Sequence, residues 1–302
     1  MTLRGVWATA LVPWTPEDAV DLARLRDQLD VLAASGVDGI YAHGTAGEFH
    51  SLSAVEHRVV SELVAEVCQK AGLPFQIGAN HMSAQTVLER ALVAAELHPV
   101  AIQVTLPDWL PLSMDEVLRF LEAVSDATAP VPLVLYNPPH AKTVLTPEQL
   151  GAVAARIPAL EGVKVAGGDD EWYARMRTHC DSTALFVPGH HLASGYHRGA
   201  AGSYSNVAAL SPAGAARWWR LIQEDLAAAE EVETAIRSFF DDHIVPLQVA
   251  GYGPPALDKA LAHIGGWCGT GTTVRWPASS VPPEHAEQLR AEARQRMPLL
   301  FD

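Results

Sequence analysis

Short apolar runs, rich in valine, isoleucine and leucine, alternate along the chain with longer stretches whose apolar residues recur at helical spacing. The first pattern predicts buried strands at Gly5–Val12, Gly39–Ala42, Pro74–Gly78, Ala101–Thr105, Val131–Tyr136, Gly162–Val165, Leu185–Val187 and Gly202–Ser205. The second predicts helices at Leu22–Ser35, Ala54–Ala71, Ala84–Leu97, Met114–Ala127, Pro147–Arg156, Asp170–Cys180, Ala193–Gly199 and Pro212–Asp225. Ser53 precedes Ala54-Val55-Glu56 with the spacing of a capping box, and Ser83 and Ser113 stand at N-cap positions. Thr146 precedes Pro147, a proline at the first helical position. Eight strands, each followed by a helix, read as a closed parallel (β/α)8 barrel, the TIM-barrel arrangement. A doubly wound open sheet shares the alternation. The strand count, and the lack of a glycine-rich phosphate fingerprint after the first strand, favour the barrel.

Beyond about Leu226 the pattern becomes helical only: Ala227–Asp242, Pro255–Ile264 and Glu284–Met297, with a loop rich in glycine, threonine and proline over Gly265–Pro283. The expectation is a barrel over residues 1–225 and a C-terminal helical extension, residues 226–302, packed on it.

Composition narrows the function. The net charge of −14 argues against a nucleic-acid backbone or an anionic membrane surface as partner, but leaves room for a local basic pocket that takes a small acid. Cys68, Cys180 and Cys268 have neither disulfide-framework nor zinc-ligand spacing, which suggests reduced thiols and a cytoplasmic setting. The apolar stretch Val6–Trp14 is too short to span a bilayer and lacks a signal peptide's flanks.

One polar residue stands out inside a strand. Lys164, in Gly162-Val163-Lys164-Val165, must desolvate its ammonium if the strand is buried. Burial favours the neutral amine, whose natural electrophile is a ketone or aldehyde. Two readings stand: a Schiff-base lysine, or a lysine that pairs with a core carboxylate or snorkels out of the strand end. Active sites of such barrels gather at the C-terminal ends of the strands, which gives further candidates. The second strand runs into Gly44-Thr45-Ala46-Gly47-Glu48, where a hydroxyl and backbone amides can approach an oxyanion, unless this is a plain tight turn. The fifth ends at Tyr136, a proton shuttle if it points inward and a core tyrosine if not. The seventh ends in Gly189-His190-His191, where one histidine is a candidate substrate contact. Neighbours on an extended segment diverge and no carboxylate or cysteine stands at ligand spacing, so no metal is expected. The eighth ends in Gly202-Ser203-Tyr204-Ser205-Asn206, small and polar, with Ser203 and Tyr204 suited to a ligand.

Taken in this order, the Gly44–Glu48 turn, Tyr136-Asn137-Pro138-Pro139, Gly162-Val163-Lys164 and Gly199-Ala200-Ala201-Gly202-Ser203 resemble the signatures of the dihydrodipicolinate synthase and N-acetylneuraminate lyase family. The resemblance runs from about Gly5 to Ala209 and more loosely to the end. It implies a (β/α)8 barrel with a C-terminal helical region, a homo-oligomer (usually a tetramer built from dimers), and class I aldolase chemistry without metal or other cofactor. Lys164 would form an imine with pyruvate or another 2-oxo acid, Tyr136 would be the general acid/base, and Thr45 with the amides near Ala46 and Gly47 would hold the carboxylate and relay protons.

The chain departs from the family pattern where the second substrate binds. Ala46 replaces the second hydroxyl residue of dihydrodipicolinate synthases, and Ala141 stands where they place an arginine. Lys142 beside it lacks a guanidinium's planar fork. The loop Leu106–Pro111 has no tyrosine to lend across a dimer, and Gly189-His190-His191 replaces the acidic residues of sialic acid lyases. Asp108, Trp109 and His190 suggest another acceptor end, polar and partly aromatic. The expected function is a Schiff-base lyase acting on a pyruvate-like 2-oxo acid with an aldehyde or sugar-acid partner. The alternatives are a dehydratase of a 2-oxo-3-deoxy sugar acid by the same imine, or a silent 2-oxo acid-binding protein.

Overall fold

The computed structural model describes residues 3–301. Eight parallel strands close into a barrel in chain order: β1 (Gly5–Thr9), β2 (Gly39–Ala42), β3 (Phe75–Gly78), β4 (Ala101–Thr105), β5 (Leu133–Tyr136), β6 (Leu160–Lys164), β7 (Ala184–Pro188) and β8 (Gly202–Tyr204). The helices between them are α1 (Leu22–Ala34), α2 (Ala54–Ala71), α3 (Ala84–Ala95), α4 (Met114–Thr128), α5 (Pro147–Arg156), α6 (Asp170–His179) and α7 (Leu192–His197). After β8 come α8 (Asn206–Leu210), α9 (Pro212–Glu224), α10 (Leu226–Phe239), α11 (Val245–Val249), α12 (Pro254–Gly265) and α13 (Pro283–Arg296). The barrel expectation holds, and two short helices, α8 and α11, add to it. Pro246 in the first turn of α11 has no N–H to donate back, and a π-helical turn, Phe240–Ile244, joins α10 to α11.

Local chemistry sets the boundaries. Ser53 with Glu56, Ser113 with Glu116 and Thr146 with Gln149 each close a full capping box. Ser83 occupies the N-cap of α3 without capping it by its side chain; its amide instead donates to His81 Nδ1 at 3.0 Å. β1 stops at Thr9, short of the expected Val12, because Gln28 of α1 takes over the backbone pairing. Its Oε1 accepts from the Leu11 amide at 2.8 Å and its Nε2 donates to the Leu11 carbonyl at 2.9 Å.

Strand alternation separates two apolar layers. Outward-facing residues such as Val6, Ile40, Val163 and Val187 join the helices in the main core, which continues into α9–α13. Inward-facing Trp7, Tyr41, Val134, Phe186 and Tyr204 fill the barrel floor. Gly39 and Gly162 make room there: a Cβ at Gly39 would lie 2.3 Å from the Trp7 ring, and one at Gly162 would press on Val134 at 3.1 Å and Phe186 at 3.4 Å. The floor ends upward at Lys164, level with Tyr136 in the β5–β6 register.

A buried ion pair fastens the C-terminal helices to the barrel mouth. Lys259 of α12, fully buried, donates to the Glu48 carboxylate and to the Thr273 carbonyl. Glu48 also accepts from Trp14 Nε1 at 2.9 Å and from the Arg275 amide at 2.8 Å. These bonds hold Glu48 in the left-handed region at φ 53°, a conformation that costs a β-carbon residue about 1 kcal/mol or more and so needs outside support. Replacing one partner strands the other's charge without water, so Lys259→Met should lower stability by about 3–5 kcal/mol in urea unfolding. A loss below about 1 kcal/mol would show that the carboxylate's other donors suffice.

Two buried histidines make a second device. His43 and His57 stack with centroids 3.9 Å apart; His57 Nε2 pairs with the Gly78 carbonyl and His43 Nε2 with Ser61 Oγ, each at 2.9 Å. Burial holds His57 down to about 4, and His43 well below its usual value. The unfolded chain therefore takes up protons first as the pH drops below about 6.5, and stability declines until about pH 4, by about 3 kcal/mol for His57 alone. The urea midpoint should fall across that window in the native protein and less steeply in His57→Gln; parallel curves would contradict the assignment.

Candidate active site

At the mouth, Lys164 emerges from β6 among three tyrosine rings. Its Nζ lies 4.0 Å from the centroid of Tyr136 and 4.9 Å from those of Tyr41 and Tyr204. Among the described residues Nζ has no hydrogen bond and no carboxylate within 4 Å. Loss of hydration pulls its pKa from 10.5 to about 7, against the opposing field of Asp258. The tyrosine faces attract an ammonium by about 0.5–2 kcal/mol each. The net lowering from 10.5 to about 7 shows that desolvation dominates.

Tyr136 points inward, and Thr45 Oγ1 donates to its hydroxyl at 3.4 Å. Burial raises the Tyr136 pKa, so the phenol keeps its proton at neutral pH. Tyr41 and Tyr204 are buried more completely and raised further; Tyr204 is tied to Gln76 Oε1 by its hydroxyl. The turn carrying Thr45 is a close approach of backbones. A Cβ at Gly47 would lie 3.0 Å from the Ala10 carbonyl oxygen and 3.2 Å from the His43 nitrogen. The Ala46 side chain packs with Leu11 and Ala262, while the amides of Ala46 and Gly47 donate to no acceptor among the described residues. Two unused amides beside a hydroxyl are suited to a carboxylate.

Two cavities lie among the strand ends and the segments that follow them. The first, about 340 Å³, is lined by Thr45, Thr105, Leu106, Asp108, Tyr136 and His140 with their neighbours, mostly apolar. The second, about 400 Å³, is lined by His190, His191, Asn206, Arg237, Gln248 and Asp258 with theirs. Asn206 accepts from the His190 amide through Oδ1 at 3.2 Å, which turns its Nδ2 toward His190 Nδ1 at 2.8 Å. That amide donates, so the His190 proton sits on Nε2. Burial holds His190 down to about 4 and keeps it neutral.

The predicted residues divide accordingly. Lys164, Tyr136 and Thr45 come together, with Ala46 and Gly47 next to them. Asp108 and His190 do not share a cavity: Asp108 lies on the first, where its Oδ1 accepts from the Lys142 amide at 2.6 Å, and His190 on the second. Trp109 is 76% exposed and lines neither. Tyr204 lies beneath the lysine as part of the floor. Ser203 is a correction: it pairs with Val6 and Val187, shares their outward face and is fully buried toward the helices, because neighbours on a strand point to opposite sides. Gly189 is likewise buried structure; a Cβ there would stand 2.4 Å from Ser205 Oγ. Asp258 escaped sequence reasoning, whereas Asn206 closes the small polar stretch at the end of the eighth strand and does line the second cavity. The signal for Asp258 was its place, with Lys259, in the middle of the largely apolar helix Pro254–Gly265.

An eight-stranded parallel barrel with a desolvated lysine and an adjacent phenol at its mouth defines an aldolase-type architecture. The chain belongs to the Dihydrodipicolinate synthetase family, whose sequence profile matches residues 2–296. A 4-hydroxy-tetrahydrodipicolinate synthase of Thermomicrobium roseum is 30% identical over 298 residues, covering 96% of this chain and 93% of that protein. An N-acetylneuraminate lyase of Escherichia coli is 31% identical over 169 residues, 55% of this chain and 56% of that one. The fold is shared with YagE, a prophage protein of the dihydrodipicolinic acid synthase family from Escherichia coli K12 solved in complex with pyruvate. The TM-score is 0.85 at 20% identity, covering 98% of this chain and 99% of that one. Members of the family are lyases.

A lysine poised at about 7 has a measurable consequence. Its modification by an amine-specific reagent should rise about tenfold per pH unit below 7 and level off above it, whereas solvated lysines keep rising to about pH 10. A Lys164 profile that tracks the surface lysines would contradict the assignment.

Proposed function

We propose that this protein is a Schiff-base lyase, in which Lys164 forms an imine with the 2-oxo carbon of pyruvate or a pyruvate-like acid and a carbon–carbon bond is made or broken at C3. One observation carries the reading: an amine without a partner, desolvated and packed 4.0 Å from the Tyr136 ring. The neutral amine adds to the 2-oxo carbon, and loss of water leaves a protonated imine. That imine withdraws the electron pair released when a C3 bond breaks, so the carbanion is held as a neutral enamine. Tyr136, protonated at neutral pH and joined to Thr45, is suited to carry the protons exchanged in these steps. The free amides of Ala46 and Gly47 are suited to the 2-oxo acid's carboxylate.

The departures at the acceptor end support a substrate other than that of either named relative. Ala141 lines the first cavity with no guanidinium beside it, and the second cavity presents a neutral His190, Asn206 and Arg237. On this reading the protein is a homo-oligomer, a dimer or tetramer, whose C-terminal helical region, residues 226–302, packs on the barrel.

Borohydride reduction in the presence of pyruvate should leave a mass adduct on the Lys164 peptide, and Lys164→Arg should leave none. Tyr136→Phe should form the adduct about 10²–10⁴-fold more slowly. Absence of any adduct with pyruvate and with a panel of 2-oxo acids would overturn the reading.

A further inference from the structure

An enamine built on Lys164 needs its second reactant beside Tyr136 and Thr45. Of the two cavities at the strand ends, the first is lined by both residues and the second by neither. The link to the amine is geometric. Lys164 Nζ stands 4.0 Å from the centre of the Tyr136 ring, and Thr45 Oγ1 donates to the Tyr136 hydroxyl at 3.4 Å. At about 340 Å³ the first cavity falls within the range of about 300–1,000 Å³ that small-molecule sites occupy.

Its walls select by charge and by shape. Among the described residues no lysine or arginine lines it, and Asp108 is its one carboxylate. Lys142 follows Ala141 along the chain but is exposed and does not line it. Arg90 spends its guanidinium on the carbonyls of Phe49, Leu52 and Asn80. Partial burial holds His50 and His81, both on the cavity, below their usual range, so neither adds a positive charge at neutral pH. Phe49, Met82, Leu106 and Pro138 supply apolar surface. The rings of Phe49 and Tyr136 stand on the wall, and His50 meets Phe49 edge to face with centroids 5.5 Å apart. Met82 is 56% exposed, an apolar side chain left largely uncovered at the cavity.

A carboxylated or phosphorylated aldehyde entering here would bring its charge to Asp108 with no cation to meet it. A polyhydroxylated one would press hydroxyls against the apolar wall and leave them without hydrogen-bond partners. A flat apolar ring meets neither obstacle and pairs with the aromatic walls.

We propose, resting on the Schiff-base reading, that the first cavity is the acceptor subsite and that it takes an uncharged aromatic aldehyde. C3 of the enamine adds to the aldehyde carbon, forming the C3–C4 bond. The enamine nitrogen's lone pair completes the C=N bond again, and the aldehyde oxygen takes the Tyr136 proton to become the C4 hydroxyl. Water adds to the imine carbon, and the proton it sheds restores the Tyr136 phenol. The new hydroxyl passes its proton to the nitrogen as the C–N bond breaks, which frees Lys164 and a 4-hydroxy-2-oxo acid bearing the ring on C4. In the lyase direction the same steps run backward and release the aromatic aldehyde with pyruvate.

The test gives the native protein saturating pyruvate with benzaldehyde, succinic semialdehyde or glyceraldehyde, and follows each 4-hydroxy-2-oxo acid by mass spectrometry. The kcat/KM for benzaldehyde should exceed that for either other aldehyde at least about tenfold. Ala141→Arg and Met82→Arg each bring a guanidinium to the cavity and should shift the ratio about tenfold toward succinic semialdehyde. A merely structural effect would lower all three aldehydes together and leave their ratios unchanged. Circular dichroism checks that each variant keeps the barrel, and the native panel decides even where a variant does not fold. A native kcat/KM for succinic semialdehyde or glyceraldehyde equal to or above that for benzaldehyde would overturn the proposal. So would ratios unmoved in both folded variants, or no aromatic product from a protein whose Lys164 still forms the pyruvate adduct under borohydride. Each of these leaves the Schiff-base reading intact, whereas no adduct in the native protein removes both.

Discussion

The site depends on keeping water from one amine. An ammonium in bulk water is worth more hydrated than anything three tyrosine faces offer it, so its neutral form is reached near pH 7 only because the barrel floor excludes solvent beneath it. Trp7, Val134 and Phe186 do this by filling the interior, and Gly162 admits them by having no side chain of its own one pleat below Lys164. The tyrosines are compatible with this environment because each hydroxyl keeps its proton there and remains a neutral hydrogen-bonding group. Packing, usually read as stability, here also lowers the pKa of that amine.

A second constraint is mechanical. The turn with Thr45 and the helix with Asp258 belong to parts of the chain more than two hundred residues apart, and Glu48 with Lys259 joins them through a buried, charge-assisted contact. Such a pair offers little net stability over a well-packed apolar replacement. What it supplies is position: two charges that must find each other in a dry interior permit only one seating of α12 on the mouth. Trp14 and the Arg275 backbone, both bonded to Glu48, extend that seating to the segment after β1 and to the loop before α13.

The two cavities give the mouth a polarity. One wall is mostly apolar and carries the phenol; the other is mixed and carries a carboxylate, a neutral histidine fixed in one tautomer by Asn206, and a guanidinium. Departures from the family pattern fall on both walls, at Ala141 and His190, and one more, Ala46, lies beside the Thr45 hydroxyl.

The architecture was legible because it is local. Strand and helix periodicity, capping boxes and proline placement each act within a few residues, and their order along the chain left a closed barrel as the favoured arrangement. Lys164 was legible for the same reason: a charge within an apolar run is anomalous wherever the strand goes. Tyr136 and Thr45 were found as strand-end residues, but whether the phenol pointed inward needed the β5–β6 register. Ser203 was misread because facing is set by strand pairing around the barrel, and one residue decides between mouth and helix layer. Asp258, the Glu48–Lys259 pair and the division of the mouth into two cavities join residues that share no sequence neighbourhood. The chain by itself determined which segments are strands and which lysine is out of place; only closure of the barrel and docking of the C-terminal helices decided what surrounds that lysine, because electric fields and solvent exclusion act through space and not along the backbone.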